Sequence, residues 1–212
     1  MFGYSSEEER RQAVDRIIKT EWEMFQKVNN IGGRADCQND WNTFHVMRCS
    51  QYSAWTDRML MSYEKDLNAA VLQGRNLVME KYAYMMEFTA PDYYRTELAP
   101  FLPKVDTESM LIIREITDYL IECEKEIALK YPTLSKAGRT IAFEEDNDGF
   151  TSVETYTIGE LKTYSKDTLE LYLEHIRVNR AADKNIVLVV KSTMVKLYGY
   201  VSMEDAESKM QL

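Results

Sequence analysis

The chain is poor in the groups from which most recognisable sites are built. Its two histidines, His45 and His175, do not stand in a Glu-x-x-His repeat of the kind that ligates paired metals in helical bundles. Its three cysteines, Cys37, Cys49 and Cys123, lie 12 and 74 positions apart, which suits neither a paired-Cys metal module nor a disulfide framework. Free thiols are expected. No stretch approaches the roughly 18 consecutive apolar residues of a membrane span, and residues 1–9 are polar and acidic rather than a basic leader. A cytoplasmic protein without a membrane partner is therefore expected. Positive charge is also scarce: 26 Lys and Arg against 35 Asp and Glu give a net charge of −9 and a pI of about 4.9. Such a chain repels a phosphate backbone at long range, so nucleic acid is not an expected partner.

With four prolines and eight glycines among 212 residues, long segments run without a breaker. The length suits one domain, 1–212, and the 45% hydrophobic content is enough for a sizeable core. Fourteen tyrosines, three tryptophans and twelve methionines supply large, adaptable side chains. They fit a helical core, the lining of a slot, or the surface of a homodimer.

Apolar residues recur at helical spacing through most of the chain. Ser5 and Ser6 ahead of Glu7, Glu8 and Glu9 predict a first helix over 7–30, ended by Gly32–Gly33. Glu21 falls inside its apolar stripe, so that carboxylate is either paired or functional. Asp36 is expected to cap a helix over the following segment, and Thr56–Asp57 a continuation to Gly74, the two forming separate helices or one bent helix. Further helices are expected over 75–88, briefly within 91–99, over 106–131 from an Asp106 start, over 166–181 capped by Ser165, over 186–197, and from Ser202. The reading is all-α: an irregular bundle of about seven helices.

Residues 31–55, IGGRADCQNDWNTFHVMRCSQYSAW, carry the most information. On a helix, Cys37, Trp41, Phe44, His45, Arg48, Tyr52 and Trp55 would share a face. Ionisable and aromatic groups are mixed on that stripe, and burying Arg48 or His45 without a partner is costly, so protein groups or a ligand must satisfy them. Cys37 near a helix N-terminus would be favoured as a thiolate. It cannot pair with His45 on one straight helix, because eight residues span roughly 12 Å.

Other segments offer less. Glu144–Gly149 lacks the alternating acids and terminal glutamate of a calcium loop and reads as a solvated loop. Residues 151–165, TSVETYTIGELKTYS, concentrate hydroxyls with Glu154 and Glu160, and form either a polar loop or a pocket wall. Near Gly74, Arg75 and Lys81 read as surface ion-pair partners, and Glu80 as a candidate base.

The strings WEMFQKVNNIGGRADCQNDWNTF (22–44), MRCSQY (47–52), GRNLVMEKYAYMM (74–86) and SVETYTIGELKTYS (152–165), in this order, resemble a bacterial family catalogued as domain of unknown function 4125. The resemblance runs over nearly the whole chain. It implies a single-domain bacterial protein and brings no activity with it.

The functional expectation is an enzyme acting on a small polar or anionic metabolite, in a pocket made by the first helix, 34–52 and 151–165. Cys37 would be the nucleophile, Asp36 and Glu80 bases or orienting groups, and Tyr156 a proton donor. Arg34 and Arg48 would hold an anionic group, with Gln38, His45, Gln51 and Glu154 completing the ligand contacts. Two alternatives stand beside it. One is a non-catalytic small-ligand-binding or adaptor protein. The other is a metal- or haem-binding bundle, using Glu21, Glu80 and Glu154 or an axial His45 or His175. No cofactor follows from the residues.

Overall fold

A computed structural model describes residues 3–29, 33–146 and 151–210. Gly32 and half of the acidic run, residues 147–149, lie outside them, so the glycine-pair stop and the loop reading there stand as expectations. Among the described residues the architecture is all-helical, with eleven α-helical segments rather than about seven. The long ones are α1 (Glu7–Gln26), α2 (Trp41–Ser53), α3 (Asp57–Leu72), α4 (Leu77–Thr89), α6 (Thr107–Lys130), α8 (Val153–Leu161), α9 (Lys166–Ala181) and α10 (Ile186–Leu197). The short helix expected within 91–99 is α5 (Pro91–Tyr93), and the count rises because Pro132 opens a further one, α7 (Pro132–Lys136), the fixed φ of each proline suiting a first turn. It rises again because Ser152 caps α8 in the segment that could have been loop.

Side-chain caps account for most starts: Ser6, Asp40, Thr56, Asn76, Asp106, Ser152, Ser165, Asn185 and Ser202 each accept from a backbone amide three residues on. Ser202 opens α11 (Met203–Lys209). Two expectations are corrected here. The segment after Gly33 is not helical from its start: Asp36–Asn39 form a single 3-10 turn, and Asp40, not Asp36, caps α2. The first helix stops at Gln26 rather than 30, because the Gln38 amide donates to the carbonyls of Phe25 (2.8 Å) and Val28 (3.1 Å). A side chain from the next segment thus takes the carbonyls that another helical turn would have used.

α4 packs on α8, α2 on α10, α6 on α9, and α1 on α2, α3 and α4. One contiguous apolar cluster runs through them, including Ile17, Ile18, Met59, Leu60, Ile113, Ile116, Leu161, Leu169 and Ile176. Tyr52, Trp55, Tyr63, Tyr164 and Tyr172 stack edge-to-face or tilted within it. The hydroxyls of Tyr52, Tyr63 and Tyr164 face the site.

Candidate functional site

Glu21 interrupts the apolar stripe of α1, and Lys81 does the same on α4, where Leu77, Val78, Tyr84 and Met85 are its buried neighbours. A helix that turns such a stripe inward must carry the charge in with it. Arg48 on α2 and Glu160 on α8 arrive from the facing elements, and the four meet. Arg48 Nε donates to Glu21 Oε2 at 2.8 Å and Nη2 to Glu21 Oε1; Nη1 donates to Glu160 Oε1 at 3.1 Å. Lys81 Nζ stands 3.7 Å from Glu160 Oε2. Glu21 is 1% exposed and the other three 8% or less, so two cations and two carboxylates form a buried, charge-balanced chain.

Neutral groups complete it. Tyr63 donates to Glu21 at 2.8 Å, Tyr164 to Glu160 at 2.8 Å, and Tyr52 Oη accepts from Arg48 at 2.8 Å. Gln51 accepts from Arg48 (2.7 Å) and donates to Glu160 (2.8 Å). Burial alone would discharge Glu160, but Arg48 and Lys81 outweigh it and hold the carboxyl down at about 2. Burial likewise opposes the charge of Arg48, and Glu160 and Glu21 overcome it, raising the guanidinium well above its ordinary value. The phenols of Tyr52, Tyr63 and Tyr164 are raised by burial and stay protonated, those of Tyr63 and Tyr164 donating to the carboxylates.

The chain approaches the surface at Tyr156. Lys81 Nζ donates to Tyr156 Oη at 2.7 Å and lies 4.2 Å from the centre of its ring, while Arg139 lies 4.8 Å from the same ring. The Tyr82 ring centre lies 5.1 Å from the same Nζ. Burial raises the Tyr82 phenol against the opposing charge of Lys81.

Of the residues singled out from sequence, the fold therefore brings Arg48, Gln51 and Tyr156 to one polar chain, with Glu21 from the first helix. The others go elsewhere. Arg34 donates to Gln26, Asn39 and the Gln38 carbonyl, so it does not join Arg48 around an anion. Gln38 is spent on the end of α1. Glu80 forms a two-bond ion pair with Arg75 at 2.9 and 2.6 Å, and Glu154 accepts from the Phe143 amide. Asp36 and Cys37 are exposed in the 3-10 turn, ahead of α2 rather than at its amides. Lys81, expected at the surface, is buried.

Glu21, Glu80 and Glu154 have three different partners, and no group of three or more His, Cys, Asp or Glu among the described residues is arranged to hold a metal. His175 Nε2 donates to the Ala54 carbonyl at 2.8 Å, and burial lowers its pKa. Lys81 and Glu160 escaped the sequence reading. For Lys81 the signal was the one that marked Glu21, a charge centred in an apolar stripe; Glu160 had no such mark, since α8 is too short to show a stripe.

The chain matches the model of the family described as protein of unknown function (DUF4125) over residues 11–208, and it belongs to that family. No curated protein and no solved structure matches it.

Proposed function

We propose that this chain binds a small anionic metabolite at the mouth formed by Lys81, Tyr82, Tyr156 and Arg139. One observation carries the reading: two cations face the Tyr156 ring, and the hydrogen bonds of Arg139 go to neutral Thr151. Counting Arg48, the polar chain and its mouth hold three cations against the carboxylates of Glu21 and Glu160. That is a local excess of positive charge in a protein of net charge −9, and an anion docking on Arg139 and the Tyr156 hydroxyl would balance it.

A second reading, catalysis at the same mouth, rests on Tyr156. Its oxygen accepts from Lys81, so its own proton is directed away from the lysine and can be given to a ligand. On this reading Tyr156→Phe keeps binding and loses turnover.

The test is thermal unfolding of the full chain against inorganic phosphate and citrate, with chloride at matched ionic strength as control. At about four times Kd an anion adds about 1 kcal/mol by mass action, or roughly 2–4 °C in Tm for a chain of this size. The gain should vanish in Arg139→Ala. No shift with either anion, or equal shifts in wild type and variant, would sink the proposal.

A further inference from the structure

Tyr156 and Glu160 stand four positions apart on α8, so they share a face of that helix, and Lys81 of α4 meets both. The ammonium does not treat them alike. It donates to Tyr156 Oη at 2.7 Å, whereas the nearest Glu160 oxygen, Oε2, is 3.7 Å away, too far for a hydrogen bond. A carboxylate is the stronger acceptor for an ammonium, because both partners are then charged. Something must hold Glu160 back.

The restraint comes from the other carboxylate oxygen. Tyr164 Oη and Gln51 Nε2 both donate to Oε1 at 2.8 Å, and Arg48 Nη1 donates to the same oxygen at 3.1 Å and to Oε2 at 3.3 Å. Three donors thus share the Glu160 charge and keep it from closing on Lys81. Burial works against the Lys81 charge, and Tyr156 and Glu160 outweigh it, so the ammonium stays protonated. Its one close bond goes forward to Tyr156, and a phenol that accepts from a cation becomes a better donor through its own O–H.

We propose that buried Glu160 sets the anion affinity of the Tyr156 mouth by opposing the charge that Lys81 presents there. This rests on the anion reading given above. Arg48, Gln51 and Tyr164 act as positioning residues: by holding the carboxylate they leave the ammonium to Tyr156, and through the phenol to the anion. The two charges act in opposite senses on one ligand, so removing Glu160 strengthens binding, and loosening its restraint weakens it. A Glu160 that served the fold alone would weaken binding when replaced.

The probe is inorganic phosphate, titrated by calorimetry at matched ionic strength into the full-length wild type, Glu160→Gln and Arg139→Ala. The expected result is a Kd about threefold or more lower in Glu160→Gln than in wild type. Binding that is lost in Arg139→Ala but no tighter in Glu160→Gln overturns this inference and leaves the anion site standing. No binding to wild type overturns both. Should Glu160→Gln fail to fold by circular dichroism, two tyrosines replace it. Tyr164→Phe removes a 2.8 Å bond from Glu160, and Tyr63→Phe a 2.8 Å bond from Glu21, on the other side of Arg48. Tyr164→Phe should weaken phosphate binding about twofold and Tyr63→Phe by less; equal losses overturn the proposal.

Discussion

The Arg48 guanidinium on α2 closes on the Glu21 carboxylate of α1, 27 positions earlier in the chain, and both are almost wholly buried. Each charge is tolerable only because the other is present, since an isolated ion in the interior faces a desolvation penalty of several kcal/mol. Glu160 and Lys81 extend the same logic to four helices. The network ties α1, α2, α4 and α8 to a single arrangement, because a shift of any one leaves a buried charge alone.

Removing one member should therefore be severe. Arg48→Met strands Glu21 and leaves Glu160 with Lys81 as its one remaining cation, and a loss of about 3–5 kcal/mol is expected in urea unfolding. Glu21→Leu together with Arg48→Met should cost less than the sum of the two single changes, since each removes the charge that the other strands. Additive losses would show that the pair is not coupled.

Acid should weaken the fold in two stages. Burial depresses His175 in the folded chain, so the stability it contributes is complete above its unfolded value near 6.5 and is lost as pH falls below that. Glu160 is depressed to about 2, so its contribution is present above the unfolded carboxyl value of about 4.5 and is lost as pH falls from there towards 2. Chemical denaturation across pH 7 to 2 should give falling stability in both windows. In Glu160→Gln the lower window should flatten while the upper persists.

The two aspartates ahead of α2 should behave differently. Asp40 accepts from the Thr43 amide at 2.9 Å, whereas Asp36 is exposed in the 3-10 turn. Asp40→Ala should lower Tm by about 2–4 °C, as loss of an N-cap does, and Asp36→Ala should leave it unchanged. The reverse order would restore the earlier helix start.

Gly159 is where α8 comes closest to α4. A Cβ there would stand 2.6 Å from Met85 Cγ and 3.0 Å from the Lys81 carbonyl oxygen. The methionine can swing away, but the backbone oxygen cannot. Gly159→Ala should thus lose about 1 kcal/mol net, overpacking outweighing the gain in helix propensity. It should also disturb Tyr156, three residues away on α8, visible in its ring NMR resonances.

Most elements were legible in the sequence because caps and stripes are local signals. Asp106, Ser165 and Ser202 each stood before the run they start. The β-branched run over 186–197 was settled as helix by the lack of any strand to pair with. Glu21 announced itself as a carboxylate in an apolar stripe, and Arg48 as a cation needing a partner. What misled was also local: Asp36 and Asp40 are both plausible caps, and only the reach of Gln38 back to Phe25 and Val28 makes residues 36–39 a separate turn.

The sequence by itself determined the class: acidic, all-helical, with charged residues placed inside apolar stripes that had to be answered by other charges. Periodicity and capping are properties of neighbours within a few positions, and they survive in one dimension. Which charges answer which was decided only in three dimensions. Glu160 meets Arg48 across 112 positions, and Lys81 meets Tyr156 across 75. No local rule encodes such pairings; they follow from which helix faces pack, and the low-dielectric interior then enforces them by making every unmatched charge expensive.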